Sequence, residues 1–187
     1  MQKSISEMLL AEHCAPAMAG IKPSNIVACK KSDNGDINAE IAELNARLNK
    51  CDIYIDIICQ CRRRVQLIVY RKKVLEEHLA DVKNRAFLAG FGYGGAATLD
   101  EYFDILKNRL AYEEFPHEIG VFLGYPLRDI YCFINHRNEG CVLVGDWRVY
   151  HNTDEARKMF CRFKACKKAL GKKIAEGKSL AGIFRAA

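Results

Sequence analysis

The sequence predicts an α+β fold, a single domain over residues 1–187 with a small mixed or antiparallel sheet of about four strands packed with helices. Three observations carry that prediction. The strand-like runs come as one single strand, one hairpin and one late strand, separated by helical stretches without a regular β-α-β alternation. Half of the 187 residues are hydrophobic and 28% are charged, which is globular composition and far from the low-hydrophobicity signature of disorder. That length buries most of the unfolded surface in one domain but falls short of two ordinary ones.

Taken in order, Ser4 and Glu7 have the spacing of a capping box, and Ile5, Met8 and Leu9 supply the narrow apolar stripe of a first helix. Pro16 either stops that helix or begins a new turn. "NIVACKK" reads as a short strand and "DNGD" as a turn, with Asp36 capping a helix whose Ile37, Ile41, Leu44 and Leu48 share a face. "DIYIDIIC" and "RVQLIVYR" are rich in β-branched residues, and "QCRR" between them forms the turn of a hairpin, with Arg62, Arg63 and Arg64 near its exposed end. "VLEEHLADVKNRAFLAG" predicts one helix ending at Gly90, and "LDEYFDILKNRL" another, with Thr98 or Asp100 near its start. Pro116 and Pro126 open two short apolar helices, "HEIGVFL" and "LRDIYCFINH". "CVLVGDWRVY" reads as a strand bulged at Gly145. From about residue 153 runs a basic C-terminal helix, capped by Thr153, with Ala156, Phe160, Phe163 and Leu170 facing inward.

The net charge of +6 is concentrated in that last helix. Nine Lys or Arg stand against Glu176 alone between Arg157 and Lys178, so the remainder of the chain is slightly acidic. Such a run suits a polyanionic partner, although a solvated helix face has the same composition. The nine cysteines are odd in number and too sparse for a disulfide scaffold, which predicts reduced thiols. The apolar run between Glu7 and Glu12 is too short for a secretory signal core, and the uncharged stretch from Ala86 to Leu99 is too short to span a bilayer. The expectation is a cytoplasmic protein without a membrane partner.

Several motifs invite a sharper reading. "GFGYGG" fits G-x-G-x-x-G by letter, but it follows a helix where a dinucleotide site needs a strand, so a helix end running into a loop explains it better. "EIGVFLGYPLRDIYCFI", residues 118–134, has the cadence of a helix-turn-helix. Its second helix offers Arg128, Asp129, Asn135 and Arg137 outward, while Tyr131 and Phe133 are expected to be mostly buried, leaving few side chains to read bases. "HEIGV" lacks the second histidine of a zincin, and no C-x-x-C occurs, so no metal site is assigned.

"HCAPAMAGIKPSN", residues 13–25, places a histidine next to a cysteine. Adjacent helical residues point about 100° apart, so His13 is badly placed to deprotonate Cys14. At the end of a helix Cys14 has a raised pKa; just before a new helical turn the sign reverses. A catalytic reading recruits His117 with Glu118 beside it, and Lys22 as an anion partner. The two proline-bounded turns, His13 to Lys22 and Pro116 to Tyr125, are expected to meet, so that Cys14, Lys22, His117 and Glu118 line one concave site.

"APAMAGIKPSNI", "VQLIVYR", "FPHEIGVFLGYPLRDIYCFI" and "GDWRVY", in that order, resemble a family of small proteins from anaerobic Gram-positive bacteria that is catalogued as a domain of unknown function, number 3793. The resemblance spans roughly residues 5–170. It implies one domain and transfers no mechanism; the cysteine-rich segments around Cys59, Cys61 and Cys161 depart from it.

The functional expectation is a binding protein for a small-molecule ligand or an acidic partner, with Lys22, His117, Glu118 and Tyr125 as ligand-binding residues. A thiol-dependent enzyme using Cys14 and His117, with Glu118 as the third catalytic candidate, is the alternative, and nucleic-acid binding through residues 118–134 comes third. The residues assign no cofactor and no oligomeric state.

Overall fold

The computed structural model describes residues 5–30, 36–61, 64–112 and 115–185. The helices are α1 (Glu7–Met18), α2 (Ile37–Leu48), α3 (Lys72–Ala80), α4 (Val82–Leu88), α5 (Leu99–Tyr112), α6 (Ile119–Phe122), α7 (Leu127–His136), α8 (Thr153–Ala175) and α9 (Leu180–Arg185). The strands are β1 (Ser24–Lys30), β2 (Ile53–Gln60), β3 (Arg64–Arg71), β4 (Leu143–Val144) and β5 (Arg148–Val149). This is the expected α+β class. Contacts divide the chain into two compact units, one of Met1–Leu75 with Ala165–Ala187 and one of Glu76–Lys164.

In the first unit the strands form an antiparallel sheet in the order β1-β3-β2. The β2–β3 hairpin is the one the β-branched runs predict; Cys61 N–H donates to the Arg64 carbonyl at its end, and Arg64 is exposed, while Arg62 and Arg63 lie outside the described residues. β3 is central and apolar, with Leu67, Ile68 and Val69 fully buried, as a strand covered on both sides requires. Leu10, Cys14 and Met18 of α1 and Ile41, Leu44 and Leu48 of α2 pack into the same core. Asp36 caps α2 as expected, accepting from Asn38 and Ala39 N–H. Asn45 of α2 satisfies the outer edge of β2 twice, donating to the Ile55 carbonyl and accepting from Ile55 N–H, each at 2.9 Å.

Two expectations about α1 need correction. Its cap is Ser6, whose Oγ accepts from Leu9 N–H, whereas Ser4 lies outside the described residues; Glu7 instead accepts from Leu180 N–H at the start of α9. Pro16 neither stops the helix nor opens a new one, but sits inside its last turn. The distortion is absorbed locally: Ala17 N–H donates to the buried Asn25 side chain, and Gly20, at φ +70°, lets Ile21 N–H return to the Pro16 carbonyl.

The second unit departs further. The expected single helix over 74–90 is broken at Asp81, whose extended backbone and carboxylate cap α4 through Lys83 and Asn84 N–H. After α4 the chain passes through a distorted turn, Ala89–Tyr93, with Gly92 at φ +92°, so the glycine-rich run follows a helix and not a strand. Thr98 and Glu101 form a reciprocal capping box at the start of α5. The segment 141–150 is a tight hairpin of β4 and β5, not one bulged strand. Its turn closes with Gly145 N–H donating to the Trp147 carbonyl, and a Cβ at Gly145 would collide with the Phe160 ring. Thr153 is the first residue of α8 and Asn152, at φ 54°, precedes it; Ala156, Phe163 and Leu170 are buried as expected and Phe160 is half-buried.

Candidate functional site

The second unit contains a cavity of about 320 Å³, within the size range of small-molecule sites. It forms where α6, α7 and the β4–β5 hairpin come together. Pro116 and Pro126 fix the entries to the two helices, and Gly120 lets them close: a Cβ there would meet Ile130 Cγ1 at 2.9 Å and Tyr125 Cδ2 at 3.2 Å. Gly120→Ala is therefore expected to destabilise the protein by about 1–2 kcal/mol through overpacking. Urea unfolding of the variant measures this, and an unchanged midpoint would contradict the tight contact.

Two pairs of rings meet in the wall. Tyr125 lies 5.3 Å from Trp147, tilted by 30°, and the His117 ring stands edge-on to Phe133 at 4.9 Å. Ile119, Leu123 and Ile130 complete an apolar lining, and Arg148 brings a cation to it. Burial pushes the Tyr125 phenol up to about 12, with the nearby Asp146 charge adding to the effect, so the ring is neutral and a donor at physiological pH.

Asp129 organises this wall. It is 3% exposed, and its carboxylate accepts from Trp147 Nε1–H at 2.8 Å, from Tyr150 N–H at 3.0 Å and from His151 N–H at 3.3 Å. One buried charge thus holds both the indole and the end of β5. The expectation that Asp129 points outward is overturned, and with it the assignment of faces on α7. Asp129, Ile130 and Phe133 share a face at helical spacing, which leaves Tyr131 59% exposed; its expected burial is corrected accordingly, while Phe133 is half-buried at the cavity. α6 is a single turn of four residues, too short for the first helix of a helix-turn-helix.

The structure brings His117 and Tyr125 to this one cavity. Glu118, the neighbour of His117, is 1% exposed and forms a separate buried pair: Oε1 accepts from Arg109 Nε at 2.5 Å and from the Tyr93 hydroxyl at 3.4 Å. Nearby, His78 Nε2 meets the Val121 carbonyl at 2.8 Å, and burial lowers its pKa, so the neutral ring holds α6 in place.

Cys14 and Lys22 belong to the first unit. Both are buried, Cys14 completely, in the third turn of α1. Burial, reinforced by the neighbouring Cys29, pushes the Cys14 thiol up to about 12 against the opposing pull of Lys22 and Lys167. A thiol in that state carries almost no thiolate at neutral pH. Relative to an ordinary thiol, the native protein is expected to alkylate at Cys14 roughly a thousandfold more slowly, with the exposed Cys61 and Cys161 reacting first. Peptide mapping after brief iodoacetamide treatment measures this, and early modification of Cys14 would contradict its burial.

Trp147, Phe133, Asp129 and Arg148 are the site residues that sequence reasoning missed. One signal was available: Trp147 is the single tryptophan of the chain and sits in a short polar turn. Among the described residues no group of three His, Cys, Asp or Glu side chains could hold a metal ion, and no helix is long and apolar enough to cross a membrane. Residues 10–184 match the model of a family described as "Protein of unknown function (DUF3793)". No curated protein and no solved structure matches the chain.

Proposed function

The chain belongs to that family of unknown function, and from this premise we propose that it is a binding protein whose ligand is a small molecule with a flat apolar body, held in the cavity between α6, α7 and the β4–β5 hairpin. The observation that carries the reading is the packing of Tyr125, Trp147, His117 and Phe133 around one cavity whose floor is fixed by the buried Asp129 carboxylate. A preformed aromatic wall offers large contact area at little conformational cost. The same observation favours a small ligand over an acidic macromolecule, since the cationic face of α8 is an open helix surface and the cavity is concave. We assign no catalysis: the wall has no nucleophile beside a base, and the thiol alternative would have to draw on Cys14, whose burial works against a thiolate. The reading also puts the protein in the cytoplasm, where its nine cysteines stay reduced.

Because Trp147 is the sole tryptophan, its fluorescence reports this site alone. Titration with 3-phenylpropionate is expected to change the emission saturably in the wild type, and Leu123→Phe, which narrows the cavity, is expected to weaken the response at least about tenfold. An equal response in the variant would place the probe elsewhere.

A further inference from the structure

Two arginines give the rim of this cavity a charge that the apolar lining does not explain. Arg148 lies on the lining, and its guanidinium stands 6.0 Å from the centre of the Phe133 ring. Arg137 stands 5.9 Å from the same ring and forms a hydrogen bond with His117 Nε2. A guanidinium only donates, so Nε2 is the acceptor and the ring proton sits on Nδ1. His117 and Arg137 thus stand at the cavity as one hydrogen-bonded pair. Arg137 is itself fixed at an unusual backbone position, φ 53°, with its carbonyl accepting from the Tyr150 hydroxyl.

The negative groups at the site face partners other than the two arginines named above. The Asp129 carboxylate is already engaged by Trp147, Tyr150 and His151, and His151 Nδ1 lies a further 3.7 Å from it. Asp146 acts on Tyr125, at the other ring pair. A cationic ligand would find aromatic faces here, but it would have to enter past Arg148 and Arg137 with the one carboxylate on the lining already occupied.

We propose, building on the binding role argued above, that the ligand is an aromatic or similarly flat carboxylate, its body between the ring pairs and its carboxylate on Arg148 and the Arg137–His117 pair. The fork of Arg148 matches two carboxylate oxygens, and a charge-assisted contact in a partly dry cavity is stronger than the same contact in water.

Three probes of one shape and different charge test this in the 187-residue chain: 3-phenylpropionate, 3-phenylpropanamide and 3-phenylpropylammonium, each read by Trp147 fluorescence. The carboxylate is expected to bind at least about tenfold more tightly than the amide, with the ammonium weakest, and added salt to weaken the carboxylate alone. Arg148→Met is expected to bring the carboxylate to the amide's affinity, leaving the amide unchanged; Arg148→Lys, which retains the charge but loses the fork, is expected to fall between. Equal binding of carboxylate and amide, or preference for the ammonium, would overturn the carboxylate assignment while the cavity kept its binding role. Failure of all three to perturb Trp147 would overturn both.

Discussion

Asp129→Ala is expected to cost about 4 kcal/mol of stability, because it strands three donors that share one buried carboxylate. Trp147 Nε1–H, Tyr150 N–H and His151 N–H all lose their acceptor; the Tyr150 bond is buried and the other two are partly buried. Asp129→Asn retains one carbonyl oxygen in place of two charged ones, so it is expected to lose about half as much. Both variants free the indole, and the aromatic wall with it. Urea unfolding followed by Trp147 emission measures the stability, and the native emission maximum reports the loosened ring. A loss below about 1 kcal/mol for the alanine variant would mean that the carboxylate is not the organiser of the wall.

The second large effect lies at the buried pair. Glu118→Ala leaves Arg109 beside Phe91 and Tyr93 without its 2.5 Å partner, and breaking such a pair from one side is expected to cost about 3 kcal/mol. The Arg109 side chain is 22% exposed, so water recovers part of its solvation and keeps the loss towards the lower end for buried pairs. The double variant Glu118→Leu with Arg109→Met is expected to regain most of that loss, since it removes both charges together. Equal destabilisation by the single and double variants would show that shape, and not charge, is what Glu118 contributes. Either result leaves the cavity intact, because Glu118 is not part of its wall.

Local signals in the sequence were sufficient wherever the structure is locally determined. Asp36 before a four-residue apolar period predicts α2, and two β-branched runs around a polar tetrapeptide predict the β2–β3 hairpin. Tertiary packing decides the rest. Nothing in "LADVKN" forces a break, since neither glycine nor proline is present, yet Asp81 interrupts the helix because its carboxylate can cap a new one. "CVLVGDWRVY" reads as one strand because its apolar residues run on. It folds back at Gly145 because only a residue without a side chain fits beneath Phe160, a neighbour fifteen positions later.

The site was half legible for the same reason. His117 and Tyr125 stand out as polar and aromatic residues in a proline-bounded turn, and the cavity uses both. Asp129 looked like an outward polar residue because a charge on a short amphipathic helix ordinarily faces water. It is inward because three N–H groups from a hairpin some twenty residues away satisfy it, and no periodicity within α7 contains that information. Glu118 illustrates the converse, since adjacency to His117 suggested a shared role that the helix turn assigns instead to Arg109.

The central claim is that the cavity beside Trp147 binds a small ligand, and the indole N–H resonance of Trp147 in the ¹⁵N-labelled protein tests it most directly. A chain with one tryptophan gives one such resonance, and its hydrogen bond to Asp129 makes it sensitive to any molecule entering the wall. On addition of 3-phenylpropionate the account predicts that this resonance moves together with the amides of His117, Gly120, Phe133 and Arg148, while those of Ile41 and Leu44 in the first unit stay in place. Shifts centred on the exposed lysines of α8, with the indole resonance unmoved, would contradict it.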